Sequence, residues 1–326
     1  MGFGNVGRRL ILELEKFKDV YTKLAVSSRG YVVIKNQKDY NELLKLANYD
    51  QKLDKHSKFR SDTFTPQIAS EYDIDLTFIV IPPSYETGEP NKSIYYGLVD
   101  QEISIITADK TVLALDFQNF MKHAQERQIY VGYRATVAAG IPVIDVAKAL
   151  RNRDVKCIRG VLNATTNYIL SLIEKGKNYD EAVQQAIMDK YAEPDPRIDT
   201  HGWDPAAKLA IILNVLEVPV SIKDVERIPL ETVNEKQVRE AIKRGKRIRY
   251  IAEAIIEEKS YSVKPIEVEA RTHLASVSGG RNVVEFHLEN DVITIEGPVG
   301  PAWRTARTMI TDLLDYIAWK QARDKR

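Results

Sequence analysis

Gly2-Phe3-Gly4-Asn5-Val6-Gly7, running directly into Arg8-Arg9-Leu10-Ile11-Leu12, is the stretch whose reading decides the fold. Three glycines at this spacing suit a dinucleotide-binding turn. The first permits the tight turn, the second lets a phosphate approach, and the third allows close packing of the following helix. The free N–H groups at the start of that helix would face a pyrophosphate. Ordinary turns also show this spacing, so the downstream pattern has to carry the assignment. Up to about residue 135, β-rich runs at 23–27, 76–82, 104–107 and 129–133 alternate with helical stretches, the pattern of βαβ units and a parallel sheet. The charge-dense stretch 48–60 reads as loop and surface helix. One element is missing. Such a fold needs a strand immediately before the glycines, and only Met1 precedes Gly2. Either the chain starts downstream of that strand, which is the expectation, or the central strand is absent and cofactor binding suffers.

An acidic residue about twenty positions after the glycines would bind the ribose hydroxyls of NAD. Here the second strand ends in Val26-Ser27-Ser28-Arg29. Hydroxyls and a guanidinium suit a 2′-phosphate, so NADP is expected over NAD, with Arg29 as its ligand. Arg29 reads equally well as a surface residue in a loop.

From Ile141 the organisation changes. Helical spacing at 144–150 precedes an apolar strand at 157–162 and helices at 167–175 and 179–190. Past Pro219 come a charged helix at 234–244 and strands at 247–257, 261–269, 283–289 and 292–296, which predict an antiparallel or mixed sheet. The last stretch, 303–318, places Met309, Ile310, Leu313, Leu314 and Ile317 on one helical face that needs a core to cover it. The 326 residues exceed one ordinary domain, so two are expected.

The hydrophobic share of 44% and charged share of 29% are those of a soluble globular protein, and 47 basic against 46 acidic side chains leave a net charge of +1. This balance calls for neither nucleic acid nor membrane. No apolar run approaches the ~20 residues that cross a bilayer, and a cytoplasmic protein is expected. The single Cys157 fits a reducing compartment, and the five histidines lack ligand spacing. The basic run Lys243, Arg244, Lys246, Arg247 and Arg249 reads as a solvated helix end entering an edge strand.

The chemistry concentrates between Tyr191 and Lys208. Asp204 ahead of Pro205 is expected to cap a helix, which sets Asp204 and Lys208 one turn apart on a shared face. A carboxylate and an amine are thus held together. Glu193, Asp195 and Asp199 precede them in a proline-stiffened loop. On spacing alone the stretch describes a surface ion pair as well as a site.

Tyr191-Ala192-Glu193-Pro194-Asp195-Pro196, continuing to Asp199-Thr200-His201-Gly202-Trp203-Asp204-Pro205-Ala206-Ala207-Lys208, resembles the Tyr-x-Glu-x-Asp-Pro and Asp-x-x-Gly-x-Asp-x-x-x-Lys signature of homoserine dehydrogenases. Thr107-Ala108-Asp109-Lys110 is similar to that family's alanine-asparagine-lysine. Asn163-Ala164-Thr165-Thr166-Asn167-Tyr168 resembles its asparagine-glycine-threonine-threonine-asparagine-tyrosine, and 135–142 its interdomain segment. The sequence departs from the pattern at Asp109, Ala164, Lys190 and in 297–301.

The resemblance implies an α/β fold: a Rossmann-like parallel-sheet nucleotide domain of residues 1–135 completed by 302–326, its first strand truncated, and an α+β substrate and dimerisation domain of residues 136–301. The implied reaction interconverts homoserine and aspartate 4-semialdehyde in threonine and methionine biosynthesis. Lys208 would be the acid/base group, with Lys110 and Asp204 beside it. Lys110 is expected to help lower the proton affinity of Lys208. Glu193, Tyr191, Asp199, Thr165 and Asp204 would bind the substrate. Gly2, Gly4, Asn5, Val6, Gly7, Arg29, Pro82 and Lys110 would hold the cofactor. Main-chain carbonyls of Val137, Ala139, Ile141 and Arg134 would hold sodium, although Arg134 replaces the family's usual glutamate. A homodimer without a separate regulatory module is implied. Two further readings are a dehydrogenase for another amino-acid semialdehyde and a cofactor-binding relative with weak or no turnover.

Overall fold

The amino-terminal glycines turn as they do because no other residue fits two of the positions. Gly2 is left-handed (φ +89°), and a Cβ there would lie 2.3 Å from the Val80 carbonyl oxygen. One on Gly7 would lie 2.0 Å from the Gly2 carbonyl oxygen. The turn feeds helix α1 (Asn5–Leu14), which buries Gly7, Leu10, Ile11 and Leu14 on one face.

The computed structural model describes residues 1–325 and separates them into two units, Met1–Gly140 with the chain from Gly300, and Ile141–Val299. In the first, β1 (Leu24–Ser27) and β2 (Gly30–Val33) form an antiparallel hairpin. After α2 (Gln37–Asn48), β3 (Phe59–Arg60) adds to the edge of β2. Then α3 (Pro66–Glu71), β4 (Leu76–Ile79), α4 (Asn91–Asp100), β5 (Ser104–Thr107), α5 (Thr111–Leu115), α6 (Phe117–Glu126) and β6 (Val131–Gly132) build a parallel sheet of order β4-β5-β6. The run at 23–27 therefore does not pair within the parallel sheet. Its partner is β2, an element the sequence reading omitted. The stretch 48–60 is more than surface, since Leu53 and His56 are both buried.

The second unit runs α7 (Val143–Ala149), β7 (Cys157–Val161), α8 (Ala164–Glu174), α9 (Tyr179–Met188), α10 (Arg197–Thr200), α11 (Trp203–Val215), β8 (Glu226–Arg227), α12 (Glu235–Lys243), β9 (Lys246–Ile255), β10 (Ser260–Glu269), α13 (His273–Ser276), β11 (Arg281–His287) and β12 (Val292–Pro298). Its six-stranded sheet has the order β12-β11-β7-β9-β10-β8 and is antiparallel except where β8 joins β10. α11 is apolar nearly all round and lies in the core, with Leu209 to Leu213 all buried. The basic run is spent on local pairs. Arg249 is 5% exposed and bonds Glu174 at 2.7 Å, Arg247 reaches the same carboxylate, and Arg244 and Lys246 meet Glu267 and Glu269.

The final helix, α14 (Ala302–Asp324), packs along α1 and buries Ala306, Met309, Leu313 and Tyr316. Leu314, expected on this face, is instead 53% exposed, because the buried stripe follows a three- and four-residue spacing that skips it. Asp312 anchors the helix from within the stripe, accepting the Arg134 guanidinium at 2.6 Å and the Arg134 amide at 3.0 Å.

Between β1 and β4 there is a gap the width of a strand, bridged only by Met1–Phe3 among the described residues. The amides of Gly2 and Phe3 donate to the Val26 carbonyl at 2.8 and 3.1 Å, the Val80 amide donates to the Met1 carbonyl at 3.0 Å, and the Met1 amine donates to the Phe78 carbonyl. Beside this segment lies a cavity of about 500 Å³ lined by Leu10, Leu14, Leu24, Leu76, Phe78 and Tyr316, among others. Burial pushes the Met1 amine down to about 5. Extending the chain by four or five β-branched residues ahead of Met1 should fill the gap and convert this amine to a neutral amide. The expected gain in Tm is about 5–10 °C. It should be larger at pH 6 than at pH 8.5, because only the parent must deprotonate a buried amine whose unfolded value lies near 8. Calorimetry of both chains checks this, and an unchanged Tm would show that the gap does not accept a strand.

Candidate active site

In the first unit, the turn at Gly2–Gly7 lies where β1 leads away on one side and β4 on the other, at the carboxyl ends of β4 and β5. Open α/β sheets bind ligands in such crevices. A Cβ placed on Gly4 would meet nothing within 4 Å, and no side chain caps α1. The turn therefore leaves room for a phosphate, such as that of a dinucleotide, beside uncapped N–H donors of a three-turn helix. Asn5 and Arg8 bond each other at 2.7 Å beside this opening. Arg29 sits in the β1–β2 turn, largely exposed, with Asp54 at 2.6 Å. Pro82 follows β4, and its carbonyl accepts the Asn91 amide at 3.0 Å. Lys110 follows β5 as the residue before α5. Asp109, beside it, is bonded by Asn91 and Thr111, while burial pushes its carboxyl up.

In the second unit, the β7–α8 loop and the α10–α11 turn bring polar groups together. Asn163 caps α8, its side-chain oxygen accepting the Thr166 amide at 2.9 Å. Its side-chain NH₂ donates to Asp199 at 2.6 Å and to Asp204 at 2.8 Å. Lys208 donates to the same Asp204 oxygen at 2.7 Å and to the Leu162 carbonyl at 2.6 Å. The Lys208 and Asp204 side chains are only 12% and 14% exposed, so this is not a solvated surface pair. Asp204 does not cap its helix as expected. α11 begins two residues earlier, after a left-handed Gly202 (φ +81°) where a Cβ would strike the Tyr250 hydroxyl at 2.6 Å. Pro205 still falls in the first turn, where its missing N–H costs nothing. The four-residue spacing of Asp204 and Lys208 is unaffected.

Thr165 donates to the Tyr191 carbonyl at 2.6 Å, and the Tyr191 ring stacks on Tyr168 with centroids 4.0 Å apart. Arg227 lies over the Trp203 ring at 3.8 Å and steadies the start of α11. Glu193 is exposed, and Asp195 is occupied by Arg197. The sequence reading did not single out Asn163, Leu162 or Tyr168 for the site. Of these, Asn163 left a readable signal, an asparagine opening a helix.

Asp199 is the perturbed group. Burial, reinforced by the nearby negative charge of Asp204, pushes its carboxyl up to about 6, against the hydrogen bonds of Asn163 and Thr165 and the charge of Lys208.

Two groups of the segment expected to hold sodium are engaged within the protein. Arg134 extends a guanidinium that is paired with Asp312 and Asp315, and the Ile141 carbonyl already accepts the Val143 amide at 2.9 Å.

The homoserine dehydrogenase family model matches residues 142–314. A homoserine dehydrogenase of Sulfurisphaera tokodaii is 31% identical over 319 residues, covering 96% of each chain. A putative homoserine dehydrogenase of Archaeoglobus fulgidus superposes with a TM-score of 0.83 at 25% identity, covering 97% of each chain. A hyperthermophilic archaeal homoserine dehydrogenase mutant in complex with NADPH superposes with a TM-score of 0.81 at 25% identity, covering 96% of this chain and 94% of that one.

The raised Asp199 carboxyl makes a prediction about stability. Its folded value exceeds the unfolded one near 3.8, so ionising it in the folded state costs stability as pH rises through about 6. Asp199→Asn should raise Tm by a few degrees at pH 8 and bring little gain at pH 4. Thermal melts at the two pH values check this, and a loss at pH 8 would mean that the carboxylate is stabilised rather than strained.

Proposed function

From a chain that belongs to the homoserine dehydrogenase family of NAD(P)-dependent oxidoreductases, we propose an enzyme that interconverts L-homoserine and L-aspartate 4-semialdehyde with NADP as the preferred cofactor. The observation that carries this reading is the partly buried amine of Lys208, held by Asp204 and the Leu162 carbonyl within a cluster of carboxylates. A surface ion pair has no need of that environment.

Bound nicotinamide supplies the hydride for reduction of the aldehyde, or takes it up from the alcohol. Lys208 passes a proton to the oxygen of the reacting carbon in reduction and removes it in oxidation. Asp204 holds the amine in direction while that proton moves. Ionised Asp199, with Glu193, binds the substrate's ammonium group, and Thr165 and Tyr191 shape the pocket around it. Lys110 serves as a catalytic and cofactor-binding residue of the first unit. The turn from Gly2 through Gly4, Asn5, Val6 and Gly7, together with Pro82, holds the pyrophosphate end of the cofactor, and Arg29 takes the 2′-phosphate. Residues 1–135 with 302–326 serve as the cofactor domain and 136–301 as the substrate and dimerisation domain. The enzyme works as a cytoplasmic homodimer supplying threonine and methionine synthesis.

Consumption of NADPH with aspartate 4-semialdehyde tests the reading directly. Lys208→Ala should lower kcat/KM by about 10²–10⁴. A loss under tenfold would remove Lys208 from its assigned role. Arg29→Ala should raise the KM for NADPH about tenfold, the loss of roughly one charge-assisted hydrogen bond, and leave that for NADH within about twofold. Equal effects on both cofactors would overturn the NADP assignment.

A further inference from the structure

Each polar atom of the Asn163 side chain has a partner, and the set of partners fixes which way the amide points. The oxygen accepts the Thr166 amide at 2.9 Å, and the nitrogen donates to Asp199 and Asp204 at 2.6 and 2.8 Å. Flipping the amide would set its oxygen against two carboxylates and its NH₂ against an N–H group, so only one orientation is satisfied. The residue before it supplies the Leu162 carbonyl that accepts Lys208 at 2.6 Å. Two consecutive residues of one loop thus hold Asp199, Asp204 and Lys208. The charged groups acting on Asp199 are Asp204 and Lys208, both from α11, while α8 faces it with neutral Asn163 and Thr165.

We propose that Asn163 is a positioning residue for the reaction: its amide holds Asp199 and Asp204 side by side and through Asp204 aims Lys208. The proposal rests on the functional reading above. Two like-charged carboxylates would otherwise turn apart, and Lys208 would follow the one it is bonded to. The hydrogen bond to Asp199 favours its ionised form, so Asn163 holds the acid limb of activity lower than burial alone would place it.

Helix capping and carboxylate pairing can be separated by substitution. Asn163→Ser keeps a side-chain oxygen that can cap α8 but cannot span both carboxylates. Asn163→Asp keeps the cap and replaces the donors with a third negative charge. Both variants should fold cooperatively. At pH 7, kcat/KM with NADPH and aspartate 4-semialdehyde should fall about 10–100-fold in Asn163→Ser and further in Asn163→Asp. The acid limb of the pH profile should move up by at least ~0.5 unit in the first and more in the second. A readout without turnover accompanies it: relative to wild type, each variant should lose Tm at pH 8 and recover most of that loss by pH 5. If wild type does not turn over, the functional reading fails, and the melts against pH still decide the role of Asn163. An acid limb that stays in place, or a Tm loss independent of pH, would reduce Asn163 to a helix cap and overturn the proposal.

Discussion

Two partly buried carboxylates lie within reach of one amide, and the second unit is arranged around keeping them there. An acid taken out of water needs donors to replace it, and each donor must come from a fixed direction. Asn163 provides two hydrogen bonds and Lys208 another. These come from opposite sides of the cluster, the β7–α8 loop and the body of α11. The turn between α10 and α11 therefore has little freedom. The left-handed Gly202 packs where the Tyr250 hydroxyl leaves no space for a Cβ, and that hydroxyl bonds the Ile228 carbonyl at 3.0 Å. Backbone, aromatic core and charged cluster are thus one construction. Moving Asp204 requires moving α11, which is buried along most of its length.

The first unit solves a different problem with fewer groups. Its two three-stranded sheets are joined by the backbone hydrogen bonds of Met1, Gly2 and Phe3. The same residues open the phosphate turn. Any loosening of the join therefore reaches α1, because Gly7 packs on the Gly2 carbonyl. α14 stabilises this arrangement from the far side through its packing on α1 and the Arg134–Asp312 pair.

Much of this was legible in the residues, for reasons that can be stated. Strands β4 and β5 show as apolar runs between helical patterns, since strands buried in a parallel sheet are apolar on both faces. The pairing of Asp204 with Lys208 follows from helical geometry alone and survives an error of two residues in where α11 starts. Strand β2 was overlooked because Tyr31-Val32-Val33 is too short to show a period, and it left β1 without its true neighbour. Leu314 misled because a run of apolar residues at a helix's end overfills the stripe that packing can use. Asn163 reads locally as a helix cap. Its second role depends on carboxylates 36 and 41 residues away, a distance no spacing rule spans.

The departures from the family pattern are each absorbed where they occur. Ala164 stands at the first position of α8, where a methyl group suits the helix and the adjacent cap is made by Asn163. Asp109 is enclosed by donors from Asn91 and Thr111, so the charge it could carry is bonded before it reaches a ligand. Lys190 takes the left-handed conformation (φ +61°) that a glycine would adopt freely, at a cost of about 1–2 kcal/mol, on an exposed turn where its side chain meets no obstruction. Arg134 is the one change that alters the electrostatics of its surroundings. Its guanidinium pairs with the buried Asp312 at 2.6 Å and with Asp315 at 2.7 Å, and so ties α14 to the turn that follows β6.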